Sequence, residues 1–352
     1  FRRDARMVSF ASHHFIDAIP TGWMKASMDV ERQPKPAYFA YREALTPLLA
    51  NLRSDRWAFW AGEGMVFEAW ICNDREEAPV DARLHYQLEV DGRVQLAGRA
   101  EAQIPLCSSA FQGFLRLPAP TVAARTPATV RLAIMAADGE ILHDTALTVE
   151  VFPTLPPYDR RVAVVGASDG TAVRLARALG ATIIDWQALR PGDAILVDGA
   201  HPEAGERLAE AAAQGATVLL LGLPAGTHTI LGERVAVTPC GMNPRHFVSR
   251  ATGHPLVADL APADLRFWYD EDAGYVTPLL ATAFTAPDWT PILRTGNGDW
   301  AGNWAPALAA AERRHGAGVV RICQVALAGR IASNPAAALL ARRLLSPISE
   351  LA

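Results

Sequence analysis

The sequence predicts a multidomain protein in which an immunoglobulin-like β-sandwich is followed by an α/β doubly wound domain. Residues 51–155 contain short runs of alternating apolar and polar residues separated by Asp-Gly turns, which is the pattern of an all-β domain. Residues 156–352 contain continuous apolar runs separated by helical patterns, which is typical of a mostly parallel sheet. A chain of 352 residues is long enough for both domains.

The N-terminal segment is predicted to form a strand, a loop and a short helix. Residues 7–16 are apolar enough for a buried strand, and residues 17–22 form a cluster of breakers. Pro34 and Pro36 precede a helix predicted over 37–45, because proline is tolerated in a first helical turn. A segment this short cannot form a stable domain alone, so we expect it to be the end of a larger unit.

The sandwich is predicted from its strands and turns. Apolar and polar residues alternate over 84–90, and Asp91-Gly92 then predicts a tight hairpin whose central residues need positive φ. The pattern recurs at Asp138-Gly139, and residues 147–151 form a last alternating strand. About seven strands in about 100 residues are typical of an immunoglobulin-like sandwich. The proline-rich residues 153–157 predict a linker.

The third block is predicted to alternate strands and helices in the manner of a Rossmann-like or flavodoxin-like domain. The predicted strands are residues 161–166, 181–186, 194–198, 217–221 and 318–325, and the predicted helices are residues 171–179, 202–214 and 334–345. Asn334 is predicted to cap the last helix, with Pro335 in its first position.

Composition excludes several classes of partner. The net charge of -4 argues against nucleic acid, whose phosphates require a basic face, and the longest apolar run, at 216–223, is too short to cross a membrane. Cys72, Cys107, Cys240 and Cys323 are scattered without a C-x-x-C motif, so no metal site or redox pair is indicated. Cys72 and Cys107 could pair or be two buried thiols. No cofactor is predicted, and the compartment stays open.

Residues 13–41 carry a more specific pattern. The pattern consists of Asp17, Pro20, Trp23, Asp29 and the run Lys35-Pro36-Ala37-Tyr38. Its order resembles the final (β/α)8-barrel strand and the following segment of family 2 glycoside hydrolases, in the β-mannosidase-like or β-galactosidase-like branch. The family usually places a sandwich next, as is predicted here. The family's asparagine position is Ile16 in this chain and its leading aromatic is His13, so the resemblance leaves the sugar open.

The resemblance implies that residues 1–50 are the last strand and helix of a truncated (β/α)8 barrel, and that the chain is the C-terminal part of a retaining exo-β-glycosidase. Because barrel chemistry lies at the C-terminal strand ends, His13, His14, Asp17 and Trp23 are the substrate-binding candidates. Adjacent histidines point to opposite sides of a strand, so only one faces the pocket. Asp17 could bind a sugar hydroxyl or hold backbone amides of a turn, and Trp23 could stack on a sugar or pack internally.

No catalytic residue is predicted. Retaining glycosidases use two carboxyl groups about 5–5.5 Å apart, and the resemblance implies that both are glutamates on earlier barrel strands. Asp17, Asp29 and Glu31 match neither glutamate motif. We therefore expect carbohydrate as the partner and no hydrolysis of glycosides by this chain.

A competing motif opens the third block. The run Gly166-Ala167-Ser168-Asp169-Gly170 matches G-x-S-x-G, the outline of a nucleophile elbow, for which Asp198 and His315 would complete a triad. Such an elbow normally follows several strands, whereas this turn follows the first, so we interpret it as a glycine-rich strand-to-helix turn. A dinucleotide site with Asp185 as ribose ligand is a further alternative, but the glycine spacing differs from G-x-G-x-x-G.

The order of elements in the third block also looks like a class I glutamine-amidotransferase domain. That activity needs a cysteine after the central strand, and the turn at 222–226 has none, so we predict a silent accessory domain. A non-catalytic module that binds carbohydrate or forms a homo-oligomer through this domain is the second functional hypothesis. Aromatic residues are concentrated at Phe267, Trp268, Tyr269, Trp289, Trp300 and Trp304. They could contact carbohydrate, but packing is the interpretation we favour.

Overall fold

The computed structural model describes residues 2–4, 15–17, 26–241, 245–251, 253–297 and 305–350. The chain divides into two compact units, Phe1–Pro153 and Thr154–Ala352. Strands account for 43% of the structure and helices for 17%, so the protein is mostly β.

The predicted fold class is wrong in its barrel and in its doubly wound domain. The described residues contain only four α-helices, too few for either architecture. Where the barrel end was expected, a single parallel bridge joins Ile16 to Met28, and one helix follows, α1 (Pro36–Ala44). Helix α1 has no buried residue, whereas a barrel helix must bury one face against its strands.

In the first unit, a three-stranded and a five-stranded sheet share one core. The strands are β1 (Leu48–Arg53), β2 (Ala58–Trp60), β3 (Gly64–Asn73), β4 (Arg83–Val90), β5 (Arg93–Glu101), β6 (Ser108–Pro118), β7 (Thr126–Met135) and β8 (Ile141–Phe152). Their orders are β1-β3-β6 and β2-β8-β7-β4-β5. Strand β1 is antiparallel to β3 and β2 is parallel to β8, so the first three strands alternate between the two sheets.

Turn chemistry and alternation fix the register of the first unit. Asp91 and Gly92 have φ of 50° and 71°, and Val90 pairs with Arg93, which confirms the predicted hairpin between β4 and β5. The predicted hairpin at Asp138-Gly139 likewise joins the antiparallel strands β7 and β8. Between the sheets, the rings of Phe59 and Phe67 lie 6.1 Å apart. These two side chains are at most 1% exposed and are among the largest that the core buries.

The second unit contains the remaining elements. Its helices are α2 (Thr171–Leu179), α3 (Gly205–Ala213) and α4 (Pro335–Leu344). Its strands are β9 (Arg161–Val165), β10 (Thr182–Ile184), β11 (Ala194–Asp198), β12 (Thr217–Leu221), β13 (Gly226–Ile230), β14 (Glu233–Pro239), β15 (Ser249–Arg250), β16 (Tyr269–Asp270), β17 (Tyr275–Val276), β18 (Thr282–Thr285), β19 (Thr290–Asn297), β20 (Ala305–His315) and β21 (Gly318–Cys323).

An 11-stranded sheet that curls into a half-barrel forms most of the second unit. The strands in the order β10-β9-β11-β12-β21 are parallel, and β20, β18, β14 and β13 continue the sheet with antiparallel pairing. The doubly wound prediction extended the parallel pattern across the whole block. Between β12 and β21, however, the chain forms antiparallel strands instead of crossover helices.

The helices of the second unit cover only part of this sheet. Helix α2 coincides with the helix predicted over 171–179, and α3 is shorter than predicted because a 3₁₀ turn occupies 202–204. Leu208 and Ala212 of α3 share a core with side chains of the parallel strands and of β14 and β18. The longest described helix, α4, has 10 residues, and no described helix could cross a membrane.

A buried ionic network joins β20, β21 and the end of α4. Arg321 is fully buried, and its Nε donates to Oε2 of Glu312, its cross-strand partner, at 2.8 Å. Its Nη1 donates to the carbonyl oxygens of Leu344 at 2.8 Å and Ser346 at 2.6 Å. These carbonyls lie at the end of α4, where the helix itself supplies no donors. His254 adds an Nε2 to Glu312 Oε1 contact of 3.4 Å, so a cation, a carboxylate and an imidazole are held together.

This network should make the stability of the second unit pH-dependent. Burial raises the pKa of Glu312, but the hydrogen bond from His254 and the charge and hydrogen bond of Arg321 outweigh it, so the pKa lies below its ordinary 4.5. Because the pKa of Glu312 is lower in the folded than in the unfolded protein, the stabilisation is complete above the unfolded-state pKa. It is lost as the pH falls through the folded-state pKa. We expect the difference in Tm between wild type and Glu312→Gln to shrink between about pH 7 and about pH 3.5. A difference that stays constant over this range would contradict the assignment.

Asn334 occupies the N-cap position of α4 and Pro335 its first position, as predicted, but the Asn334 side chain does not cap the helix. It makes no cap hydrogen bond; its Oδ1 accepts from the Tyr269 backbone at 2.9 Å and its Nδ2 donates to the Tyr269 carbonyl at 2.8 Å. Arg330 bonds the same hairpin through Asp270 Oδ2 at 3.1 Å and Thr277 Oγ1 at 2.6 Å. Both residues thus hold the β16–β17 hairpin against the segment that follows β21.

Candidate functional site

Only one of the four predicted substrate-binding residues can be placed. His13, His14 and Trp23 lie outside the residues that the structure describes. Asp17 lies inside them and is 7% exposed. A carboxylate so far removed from water requires a partner in its surroundings.

Asp17 forms an ion pair with Lys35. Lys35 Nζ lies 2.6 Å from Asp17 Oδ2, although the residues are 18 positions apart. Backbone pairing brings them together: the Asp17 N–H donates to the Met28 carbonyl at 3.1 Å, and the Lys35 N–H donates to the Ser27 carbonyl at 3.0 Å. Both residues belong to the glycosidase-like pattern, but Lys35 was not among the four residues predicted to bind substrate.

Asp29, another matched position, has a local structural role. Its Oδ1 accepts from the Gln33 N–H at 2.7 Å, and its backbone exchanges two further hydrogen bonds with Arg32 and Gln33. Arg32 has a φ of 62°, as expected in a tight turn. Asp29 therefore holds the turn that returns the chain towards Lys35.

Aromatic rings flank the ion pair along the chain. The rings of Phe15 and Tyr38 have centroids 6.4 Å apart, and Tyr38 and Phe39 meet edge to face at 5.5 Å. Phe15 is 55% exposed and Phe39 is 47% exposed. Together, the exposed rings, the buried carboxylate and the ammonium group supply an apolar face, a hydrogen-bond acceptor and a donor within one segment, which we call the Asp17 site (15–17 and 26–39).

The G-x-S-x-G turn has a structural function. Asp198, at the end of β11, accepts from the Thr171 N–H through Oδ2 at 2.7 Å and so caps α2, whose N-cap position is Gly170. A Cβ on Gly166, where φ is 140°, would lie 2.7 Å from the Asp198 Cβ, so the glycine is required by this close approach. Among the described residues, no hydrogen bond joins Ser168 to Asp198 or His315. Asp198, the candidate triad aspartate, therefore caps the N-terminus of α2.

The dinucleotide alternative also lacks its binding groups. Asp198 already occupies the helix N-terminus to which a pyrophosphate would bind. Asp185, the candidate ribose ligand, accepts from the Gln187 N–H through Oδ1 at 3.0 Å and caps a 3₁₀ turn.

Two of the four cysteines, Cys72 and Cys323, are buried. All four are free thiols, so Cys72 and Cys107 do not pair, and Cys107 is exposed rather than buried. Burial raises the pKa of Cys323 to about 12 and also raises the pKa of Cys72, which keeps both thiols protonated and unreactive. The described residues contain no cluster of His, Cys, Asp and Glu that could hold a metal ion.

The aromatic concentration in the second unit is divided between surface and core: Phe267 is 43% exposed, whereas two of the tryptophans are buried. Trp268 and Trp289 are each 3% exposed, and Trp268 Nε1 donates to the Asp264 carbonyl at 2.6 Å. Packing, the favoured interpretation, therefore applies to both. Trp300 and Trp304 lie outside the described residues.

The second unit also contains a cleft of about 850 Å³. It lies between α3 and β13, over the face of β12 and β21. Its floor is apolar, and His201, His228, His315 and Glu206 stand among its lining residues. No sequence motif marked it, because its walls combine residues from 200–232 with His315 of β20 and Val320 of β21, which are distant in sequence.

No known protein family matches the chain, and no curated protein matches its sequence.

Proposed function

We propose that the chain is a non-catalytic part of a carbohydrate-active hydrolase, a retaining exo-β-glycosidase, and that its Asp17 site contacts the sugar. The observation that carries the proposal is the ion pair between Asp17 and Lys35 in a segment that also carries exposed aromatic rings. The resemblance of residues 13–41 to family 2 glycoside hydrolases supplies the substrate class. The barrel that this resemblance implied is not part of the proposal.

The chemistry of the Asp17 site suits a sugar. Neighbouring hydroxyl groups of a sugar both donate and accept, so a carboxylate and an ammonium group can bind a pair of them with charge-assisted hydrogen bonds. The ring carbons of a sugar present an apolar face to aromatic side chains such as Phe15 and Phe39. Asp17 is held by Lys35 and by its backbone bond to Met28, so it is oriented before any ligand arrives.

The same contacts argue against catalysis by these residues. A nucleophile and an acid/base require two carboxyl groups about 5–5.5 Å apart with different proton affinities. Asp17 is instead neutralised by Lys35, and Asp29 is bonded into a turn.

The experiment uses the 352-residue chain with methyl β-glycosides of mannose, galactose and glucose, followed by saturation-transfer NMR. We expect saturable binding of at least one sugar and a loss of affinity of about tenfold or more in Asp17→Asn, because a hydrogen bond to a charged group is removed. Glu31→Gln removes an exposed carboxylate from the same segment and should change affinity by less than about twofold.

Two results would overturn the proposal. Equal binding by wild type and Asp17→Asn, with both folded by circular dichroism, would remove the Asp17 site from sugar recognition. Robust turnover of p-nitrophenyl glycosides by the chain would show that it is catalytic.

A further inference from the structure

The cleft of the second unit is a consequence of how the sheet departs from the doubly wound pattern. A crossover helix after β12 would cover the sheet face beside α3. Here the chain turns after β12 into the hairpin β13–β14, which joins the far end of the curled sheet. A space of about 850 Å³ is left between α3 and β13, and it falls in the size range of small-molecule sites.

The floor of the cleft is made of core side chains. It is lined by Leu208 of α3, Val218 and Leu220 of β12, Leu223 just after β12, and Val320 of β21, each at most 7% exposed overall. These side chains are held rigidly by the sheet and helix from which they come. The surface at the bottom is therefore preformed and apolar, which favours a flat, apolar ring system over a polar chain.

Hydrogen-bond acceptors dominate the rim. His228 Nε2 lies 2.8 Å from the Pro224 carbonyl oxygen, which can only accept, so the proton is on Nε2 and Nδ1 carries a lone pair in the neutral ring. Glu206 contributes an exposed carboxylate, and Thr227 and Thr229 contribute hydroxyl groups.

His201 does not offset these acceptors. Its Nδ1 lies 2.8 Å from Glu203 Oε1 and its Nε2 lies 3.0 Å from the Asp198 carbonyl oxygen. Both partners are acceptors, so a proton on either ring nitrogen is already engaged within the protein. Apart from His315, the polar groups of the rim thus favour a ligand that donates hydrogen bonds and carries no negative charge.

We propose that this cleft binds a neutral, largely apolar ring compound whose hydroxyl group donates to Glu206 or His228. The fused rings lie on the Leu220 and Val320 floor, and the hydroxyl group points to the rim. The site does not depend on the sugar-binding role of the first unit.

Titration of the full chain with 2-naphthol, followed by ligand fluorescence, tests the proposal, and 2-naphthoate serves as the anionic analogue of the same ring size. We expect saturable one-to-one binding of 2-naphthol, at least about tenfold tighter than binding of 2-naphthoate. Ala209→Phe fills the cleft from α3 and should weaken binding by about tenfold or more. The control is Ala213→Phe, which lies one helical turn further along α3 at an exposed position outside the cleft and should change binding by less than about twofold.

Thr229→Trp provides a second obstruction from β13 at an exposed position that the fold should tolerate. Binding that survives in both Ala209→Phe and Thr229→Trp would place the ligand elsewhere, and the absence of saturable binding by wild type would remove the site. Tighter binding of 2-naphthoate than of 2-naphthol would contradict the assigned chemistry. So would unchanged affinity for 2-naphthol in each of the two single variants Glu206→Gln and His228→Phe.

Discussion

Replacing Arg321 with methionine should lower the free energy of unfolding of the second unit by about 3–5 kcal/mol. The guanidinium group is fully buried and bonds Glu312 together with the carbonyl oxygens at the end of α4. Methionine fills most of the volume but supplies no donor, so a carboxylate and a helix end lose their partners inside the protein. Hydrogen exchange of the β21 and α4 amides, read as opening free energies, measures the loss where it occurs.

The double variant Arg321→Met with Glu312→Leu is the matched control. Removing both charges leaves no unpaired carboxylate, so this variant should be less destabilised than Arg321→Met alone. Equal destabilisation of the two variants would assign the loss to the uncapped end of α4. A loss below about 1 kcal/mol in Arg321→Met would show that the network does not support the unit.

Truncating Phe67 to alanine should cost the first unit about 3–5 kcal/mol. Phe67 of β3 has no exposed surface and packs on Phe59 across the sandwich, with ring centroids 6.1 Å apart. The deletion removes a buried ring and leaves a cavity that two hydrogen-bonded sheets cannot easily close. Urea unfolding combined with exchange of the β3 and β7 amides reports on this unit.

Phe114→Ala is the control within the same three-stranded sheet. Phe114 of β6 is 54% exposed, so its truncation should cost about 1 kcal/mol or less. Similar losses in Phe67→Ala and Phe114→Ala would contradict the assignment of Phe67 to the core that joins the two sheets.

Elements with strong local signals could be predicted from the sequence. Helix α2 follows from its apolar spacing and the glycine at its C-cap, and the β4–β5 hairpin follows from Asp91-Gly92. Strands β11 and β12 were evident because both faces of a central parallel strand are buried, which produces an uninterrupted apolar run.

The antiparallel half of the second sheet could not be predicted in this way. Strand β20 begins with an alanine-rich run, and alanine favours helix, yet the strand pairs with β19 and β21 on either side. Strand β13 lies at the sheet edge and consists largely of polar and small residues, without a clear apolar alternation. In both strands, pairing with residues distant in sequence decides the structure.

The candidate sites show the same division. Asp17 could be identified because it belongs to a recognisable pattern, but its partner Lys35 became apparent only once backbone pairing through Met28 was known. The G-x-S-x-G match was correctly interpreted as a strand-to-helix turn, although the cap supplied by Asp198 is a contact that no local rule predicts. The cleft could not be predicted at all, because it forms where the β13–β14 hairpin replaces the crossover helix that would follow β12 in a doubly wound domain.

Hydrogen exchange of the full chain, with and without the methyl β-glycoside that binds best, tests the central claim most directly. Binding at the Asp17 site should slow exchange in residues 26–39, around Lys35, in wild type and not in Asp17→Asn. Sugar-dependent protection confined to other segments, or equal protection in the two proteins, would contradict the proposal that this site contacts carbohydrate.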